Sequence, residues 1–128
     1  MKNNRINIIV YKPVNVVFDF TITPDNTPKW IRHVCVEETN EWPVKIGTVY
    51  RNKGKAGSWS KYIVENIKDN ELFELADSDS GYHVRCTYTP IDSGTTKMEY
   101  YEWVDEGDLK EPFTPEILDE LRKAIELL

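Results

Sequence analysis

The chain has 128 residues, and its 16 Lys plus Arg against 22 Asp plus Glu give a formal net charge of −6. This length predicts one domain spanning residues 1–128, and a hydrophobic content of 40% excludes a disordered protein. The acidic balance argues against nucleic-acid binding, which needs a surplus of basic residues to neutralise phosphates. The apolar stretch 6–11 is too short for a signal peptide or a membrane span, so we expect a cytoplasmic protein without stable membrane insertion.

The first quarter of the chain predicts a strand followed by an ambiguous segment. Alternating residues over 6–10 indicate a strand that ends before Pro13. Residues 13–22 fit either a strand, favoured by their Val and Phe content, or a helix, favoured by Pro13 at a first helical position. Turn and N-cap residues fill 23–28, and we expect one or two helical turns over Lys29–His33.

The middle of the chain predicts a β-meander. From Val34 to Val104, short apolar segments alternate with turn residues, which indicates five or six antiparallel strands joined by hairpins. The strongest strand patterns cover 48–51, 58–67, 72–76, 82–89 and 95–104.

The C-terminal segment predicts an amphipathic helix over 114–128. Thr114 is a good N-cap and Pro115 suits the first helical position. One face then carries a continuous apolar stripe, formed by Ile117, Leu118, Leu121, Ala124, Ile125 and Leu128. This stripe is expected to pack on the sheet, since nothing else remains to cover it.

Four short motifs accompany this order of elements: 12–20 (KPVNVVFDF), 24–30 (PDNTPKW), 46–50 (IGTVY), and Pro90 with 94–98 (GTTKM). Together they resemble the START-like helix-grip (SRPBCC) superfamily, which includes polyketide cyclase/dehydrase-like, coenzyme-Q-binding and birch-pollen-allergen-like proteins. The resemblance implies an α+β helix-grip fold, a curved antiparallel sheet of six to seven strands wrapped on a C-terminal helix. It also implies two short helices after the first strand, the first over 13–21. The C-terminal helix is shorter than is usual in that superfamily, so it covers less of the sheet.

The same resemblance implies a ligand cavity between the sheet and the C-terminal helix. Strand alternation selects the side chains expected to face it. An apolar wall with several phenol groups suits a hydrophobic or aromatic molecule, lipid-like or polyketide-like; the alternative is an ordinary collapsed core. Trp30 fits either the cavity entrance or a core anchor. The candidate ligand-binding residues are Trp30, Tyr50, Tyr62, Phe73, Leu75, Val84, Cys86, Tyr88, Met98, Tyr100, Glu102, Leu118, Leu121 and Ile125.

Glu102 is the candidate catalytic residue, because an inward carboxyl group can act as a proton donor or acceptor. The alternative is a structural carboxylate that pairs with Arg85 or reaches water. Arg51 and Arg85 could hold an acidic group at the pocket mouth, or face solvent.

Two His and two Cys have the composition of a zinc site, but His83 and Cys86 are three residues apart on a strand and point to opposite faces. We therefore expect no metal site. The sequence also lacks a phosphate-binding glycine loop and a nucleophile motif, so no cofactor is expected.

Three functions remain open, and the first is a non-enzymatic module that binds a hydrophobic small molecule. The second is an enzyme resembling polyketide cyclases/dehydratases. The third is a protein-interaction module resembling heat-shock-ATPase-activator-like proteins. Trp59 and Trp103 are expected on outward faces, which suggests a homodimer or partner surface.

Overall fold

The computed structural model describes residues 1–77 and 79–128. Its seven strands are β1 (Asn3–Val10), β2 (Val36–Thr39), β3 (Val49–Lys53), β4 (Ser60–Lys68), β5 (Leu72–Asp77), β6 (Tyr82–Asp92) and β7 (Thr95–Val104). The helices are α1 (Val14–Ile22), a short 3₁₀ helix (Pro24–Lys29) and α2 (Pro115–Glu126). The strands form one antiparallel sheet in the order β1-β7-β6-β5-β4-β3-β2.

This architecture confirms the predicted fold class. Strands β2 to β7 form a meander, and β1 completes the sheet beside β7. The pairing register shifts between Val64 and Asn66 and again between Pro90 and Asp92. Such irregularities bend strands and increase their twist, which helps the sheet curve around the helices.

The ambiguous segment after Pro13 is a helix, as the resemblance implied. Its apolar residues Val17, Phe18 and Phe20 are buried in the core. Burial of that face therefore outweighs the strand propensity of the Val and Phe residues, because tertiary packing overrides local preference.

The expectation of helical turns over Lys29–His33 was wrong, since the second short helix lies earlier, at Pro24–Lys29. Pro24 occupies its first turn, where the missing N–H costs nothing. The Trp30 N–H donates to the Thr27 carbonyl at 3.2 Å, and the helix ends there. Residues 31–35 continue as a non-helical segment.

Helix α2 begins where the sequence predicted. The Thr114 hydroxyl accepts a hydrogen bond from the Ile117 N–H at 3.3 Å, so Thr114 is the N-cap. Leu118, Leu121 and Ile125 are fully buried, and α2 packs on β1 and α1. At twelve residues α2 is about 18 Å long, which leaves the inner face of β3 to β6 to be covered by other segments. Within the two described ranges, no helix has the length and apolar character needed to cross a membrane.

Candidate functional site

A pocket of about 140 Å³ lies between the inner face of the sheet and the segment 27–34, with Phe113 at its edge. Strands β3 to β7 supply one wall, and the 3₁₀ helix with the residues after it supplies the other. His33 also lines the pocket and is exposed to solvent, so the pocket opens beside His33. The described residues that line the pocket are Thr21, Thr27, Trp30, Ile31, His33, Val34, Glu37, Tyr50, Asn52, Tyr62, Phe73, Leu75, Tyr82, Val84, Cys86, Met98, Tyr100 and Phe113.

The pocket brings together nine of the fourteen residues that the sequence selected. Strand pairing explains this grouping, because Tyr50 is opposite Tyr62, Leu75 is opposite Val84, and Cys86 is opposite Tyr100. Directly opposed residues share a face of the sheet. The nine are Trp30, Tyr50, Tyr62, Phe73, Leu75, Val84, Cys86, Met98 and Tyr100.

The other five selected residues lie outside the pocket lining, namely Tyr88, Glu102, Leu118, Leu121 and Ile125. Tyr88 packs edge-on against Phe18, and its hydroxyl lies 2.5 Å from the Thr21 hydroxyl. The three α2 residues have no exposed surface at all. In this pocket the segment 27–34 occupies the place expected for α2, whose Leu118, Leu121 and Ile125 pack in the hydrophobic core.

Glu102 is buried, with 1% of its surface exposed, and protein donors occupy its carboxylate. Oε2 accepts from Asn4 Nδ2 at 2.9 Å and from the Phe113 N–H at 2.8 Å, and Oε1 accepts from the Tyr82 hydroxyl at 3.0 Å. The alternative pairing with Arg85 was wrong, since the Arg85 guanidinium binds Glu74 at 2.6 Å. Glu102 thus connects β1 and β6 with Phe113, which precedes α2. Arg51 also faces outward, where it pairs with Glu38.

Glu37 is the pocket carboxylate that sequence reasoning missed. Its Oε1 accepts from the Thr27 hydroxyl at 2.6 Å, and its Oε2 accepts from Asn52 Nδ2 at 2.9 Å. Burial raises the pKa of Glu37 above its ordinary value, although these two hydrogen bonds act in the opposite direction. Asn52 is the cross-strand partner of Glu37, but only the folded chain brings Thr27 to the same place.

The phenol and thiol groups of the pocket stay protonated at neutral pH. Burial raises the pKa of Tyr50, Tyr62 and Tyr82, and negative charge on nearby carboxylates adds to this effect. Burial also raises the pKa of the Cys86 thiol to about 12, which disfavours the nucleophilic thiolate. The Tyr50 hydroxyl donates to the Ile22 carbonyl at 2.6 Å and so holds the end of α1 against the sheet.

The aromatic residues expected on outward faces lie there. His83 stacks on Trp103, with ring centroids 4.7 Å apart, on the side of the sheet opposite Cys86. Trp59 lies beneath the cations of Arg51 and Lys53. Whether these side chains form a homodimer or partner surface stays a prediction.

A curved seven-stranded antiparallel sheet gripping a C-terminal helix defines the helix-grip fold, the fold that the START superfamily shares. No protein-family model matches the sequence, and no curated protein matches it either.

Solved structures, in contrast, match almost the whole chain. A START superfamily protein from Mycobacterium smegmatis superposes with a TM-score of 0.72 at 14% identity, over 98% of this chain and 95% of that one. Protein MLL2253 from Mesorhizobium loti gives a TM-score of 0.76 at 13% identity, over 98% of both chains. Protein EF2215 from Enterococcus faecalis, described as a conserved protein of unknown function, gives 0.74 at 10% identity, over 97% of this chain and 71% of that one. At these identities the similarity establishes the fold.

Proposed function

We propose that this protein binds a small hydrophobic or aromatic molecule in the pocket between its sheet and the segment 27–34. The observation that carries the proposal is the pocket of about 140 Å³ with aromatic rings around a few polar groups. Ligand sites typically combine an apolar lining with a small number of polar groups that fix orientation.

The pocket volume narrows the size of the ligand. An engineered apolar cavity of about 150 Å³ in another protein holds one benzene molecule. A pocket of about 140 Å³ therefore suits a molecule with one ring, or a short chain of equal volume. A long lipid or a multi-ring polyketide requires part of the lining to move, so the proposal favours the smaller class.

Apolar burial alone gives such a ligand modest affinity. An aromatic ring buries about 150 to 250 Å², which at about 25 cal/mol per Å² contributes roughly 4 to 6 kcal/mol. Association itself costs an estimated 4 kcal/mol or more in lost translational and rotational freedom. Polar groups in the wall, such as the Tyr62 hydroxyl and Glu37, must then supply part of the affinity and most of the selectivity.

Catalysis has weaker support than binding. The carboxylate of Glu102 is already occupied by three donors, and the Cys86 thiol is protonated at neutral pH. Glu37 is the pocket group best suited to proton transfer, because its raised pKa lies nearer neutrality than that of an ordinary carboxyl group.

The test replaces a small side chain in the wall of the pocket by a larger one that occupies the cavity. Val84 lines the pocket on β6, and Thr87 lies three residues along the same strand on the outer face. We expect Val84→Phe to weaken binding of benzyl alcohol at least tenfold, and Thr87→Phe to leave it unchanged. Titration calorimetry measures the affinity, and circular dichroism checks that both variants fold. Equal binding by Val84→Phe and the wild type would place the ligand elsewhere and refute the proposal.

A further inference from the structure

Among the described residues that line the pocket there is one carboxylate, and the fold holds it in a fixed position. Glu37 lies on β2 at the edge of the sheet, opposite Asn52 of β3. Thr27 of the 3₁₀ helix contacts it from the other side. Hydrogen bonds of 2.6 and 2.9 Å to these two residues use one lone pair on each oxygen. Each carboxylate oxygen therefore keeps acceptor capacity for a further donor.

Both groups that bind Glu37 are neutral. In the part of the chain that the structure describes, Glu37 forms no ion pair with a Lys, Arg or His side chain. Neighbouring Glu38, in contrast, pairs with Arg51 on the outer face. Removing a carboxylate from water is costly unless a cation compensates it. Glu37 is thus placed where a ligand can supply the missing positive charge.

The surroundings of Glu37 also favour a cation over an anion. The aromatic rings of Trp30, Tyr50 and Phe73 line the same pocket, and the faces of such rings attract cations. The formal net charge of −6 draws cations towards the protein and repels anions. The remaining titratable groups of the lining are His33 at the opening and the protonated Tyr62, Tyr82, Tyr100 and Cys86.

We propose that the pocket selects a small apolar amine, whose ring fills the aromatic part of the cavity and whose ammonium group pairs with Glu37. This inference rests on the proposed function, because it assumes that the pocket holds a ligand. It adds the chemical class of that ligand and the residue that recognises it.

The test compares benzylamine, which is protonated at neutral pH, with benzyl alcohol and benzoate. The three share a ring and differ mainly in charge. We expect the wild type to bind benzylamine about tenfold or more tightly than benzyl alcohol, since a hydrogen bond to a charged group contributes that much. Benzoate is expected to bind most weakly. Calorimetric titration at neutral pH and moderate ionic strength measures all three.

Two variants assign the preference to one carboxylate. Glu37→Gln is expected to lose the preference for benzylamine, so that its affinities for benzylamine and benzyl alcohol differ by less than about threefold. Glu38→Gln removes the same charge from the outer face of the same strand, and we expect it to keep the preference. This matched pair separates a specific ion pair from the general attraction of an acidic protein.

The outcomes distinguish the two proposals. Equal wild-type affinities for benzylamine and benzyl alcohol overturn the amine inference and leave the binding function standing. A preference that survives Glu37→Gln overturns the assignment to Glu37. If none of the three molecules binds the wild type, both proposals fail. If Glu37→Gln does not fold, the ratio of the wild-type affinities for benzylamine and benzyl alcohol still decides whether the pocket selects an amine.

Discussion

The inner face of the sheet carries two carboxylates, one on the side of α2 and one on the side of the 3₁₀ helix. The surroundings of the two carboxylates differ. On the side of α2, Glu102 is almost fully buried and receives three hydrogen bonds from the protein itself. On the side of the 3₁₀ helix, Glu37 receives two hydrogen bonds from neutral groups and borders a pocket. The packed side is complete without a ligand, whereas the pocket side has room and unused polar capacity. This difference separates the part of the core that stabilises the fold from the part that we propose binds a ligand.

The largest expected effect comes from apolar side chains on the two sides. Leu118→Ala removes a side chain with no exposed surface and leaves a cavity in packed core, so we expect it to cost about 3 to 5 kcal/mol of unfolding free energy. Leu75→Ala enlarges a pocket that already exists, and a loss of about 1 to 2 kcal/mol is expected. Urea denaturation followed by circular dichroism measures both. Equal losses would mean that the pocket side is packed as tightly as the α2 side.

The two carboxylates provide the next comparison. Glu102→Ala removes the acceptor of the Tyr82 hydroxyl and of the Phe113 N–H, and one of the two acceptors of Asn4 Nδ2. We expect a loss of about 3 kcal/mol. Glu37→Ala is expected to cost less than about 1 kcal/mol, because the lost hydrogen bonds are offset by the removal of a poorly compensated charge.

The same denaturation experiment measures both carboxylate variants, with Asn4→Ala as a control. That control deletes one of the three donors of Glu102 together with the 2.8 Å hydrogen bond from Asn4 Nδ2 to the Phe113 carbonyl, and it is expected to cost about 2 kcal/mol. A large loss for Glu37→Ala would show that Glu37 is a structural residue like Glu102.

The smallest expected effect is a pH dependence that belongs to Glu37. Burial raises its pKa in the folded protein, so between the ordinary value of 4.5 and that raised pKa the folded state keeps a proton that the unfolded state has lost. The wild type should therefore lose stability relative to Glu37→Gln as pH rises through this window, by at most about 1.4 kcal/mol per pH unit.

Denaturation of both proteins from about pH 4 to about pH 8 checks this prediction, since subtraction removes the groups that they share. The difference should be constant below the window and above it. A difference that does not change with pH would contradict a raised pKa of Glu37.

The most predictable parts of the fold were those with a strong local signal. Thr114, Pro115 and the apolar stripe located the start of α2, and the alternation in 95–104 gave the bounds of β7. The segment after Pro13 lacked such a signal, because its Val and Phe residues fit a strand as well as a helix. Only the resemblance selected the helix, and the structure explains it by the burial of Val17 and Phe18 against the sheet.

The residues of the candidate site that the sequence predicted lie on strands, with the exception of Trp30. Period-two alternation grouped most of the inward side chains of β3 to β7, since register follows from the pleat, but it did not select Asn52 of β3 or Tyr82 of β6. Glu37 was missed because β2 has only four residues and no clear alternation. Its partner Thr27 is ten residues away in a helix that the sequence placed too late. The covering segment depends on how the 3₁₀ helix docks on β2, and no local pattern encodes that contact.

The backbone and the side chain of Phe113 have separate roles, and this affects how the cavity could change during evolution. Its backbone N–H is bound to Glu102, while its ring stacks on Tyr100 and borders the pocket. Every amino acid except proline supplies the same N–H group. The side chain at this position can therefore be exchanged for a smaller or larger one without removing the tether that holds the loop. Position 113 is thus suited to adjusting the depth of the cavity, in natural variants or by design, while the rest of the domain keeps its sequence.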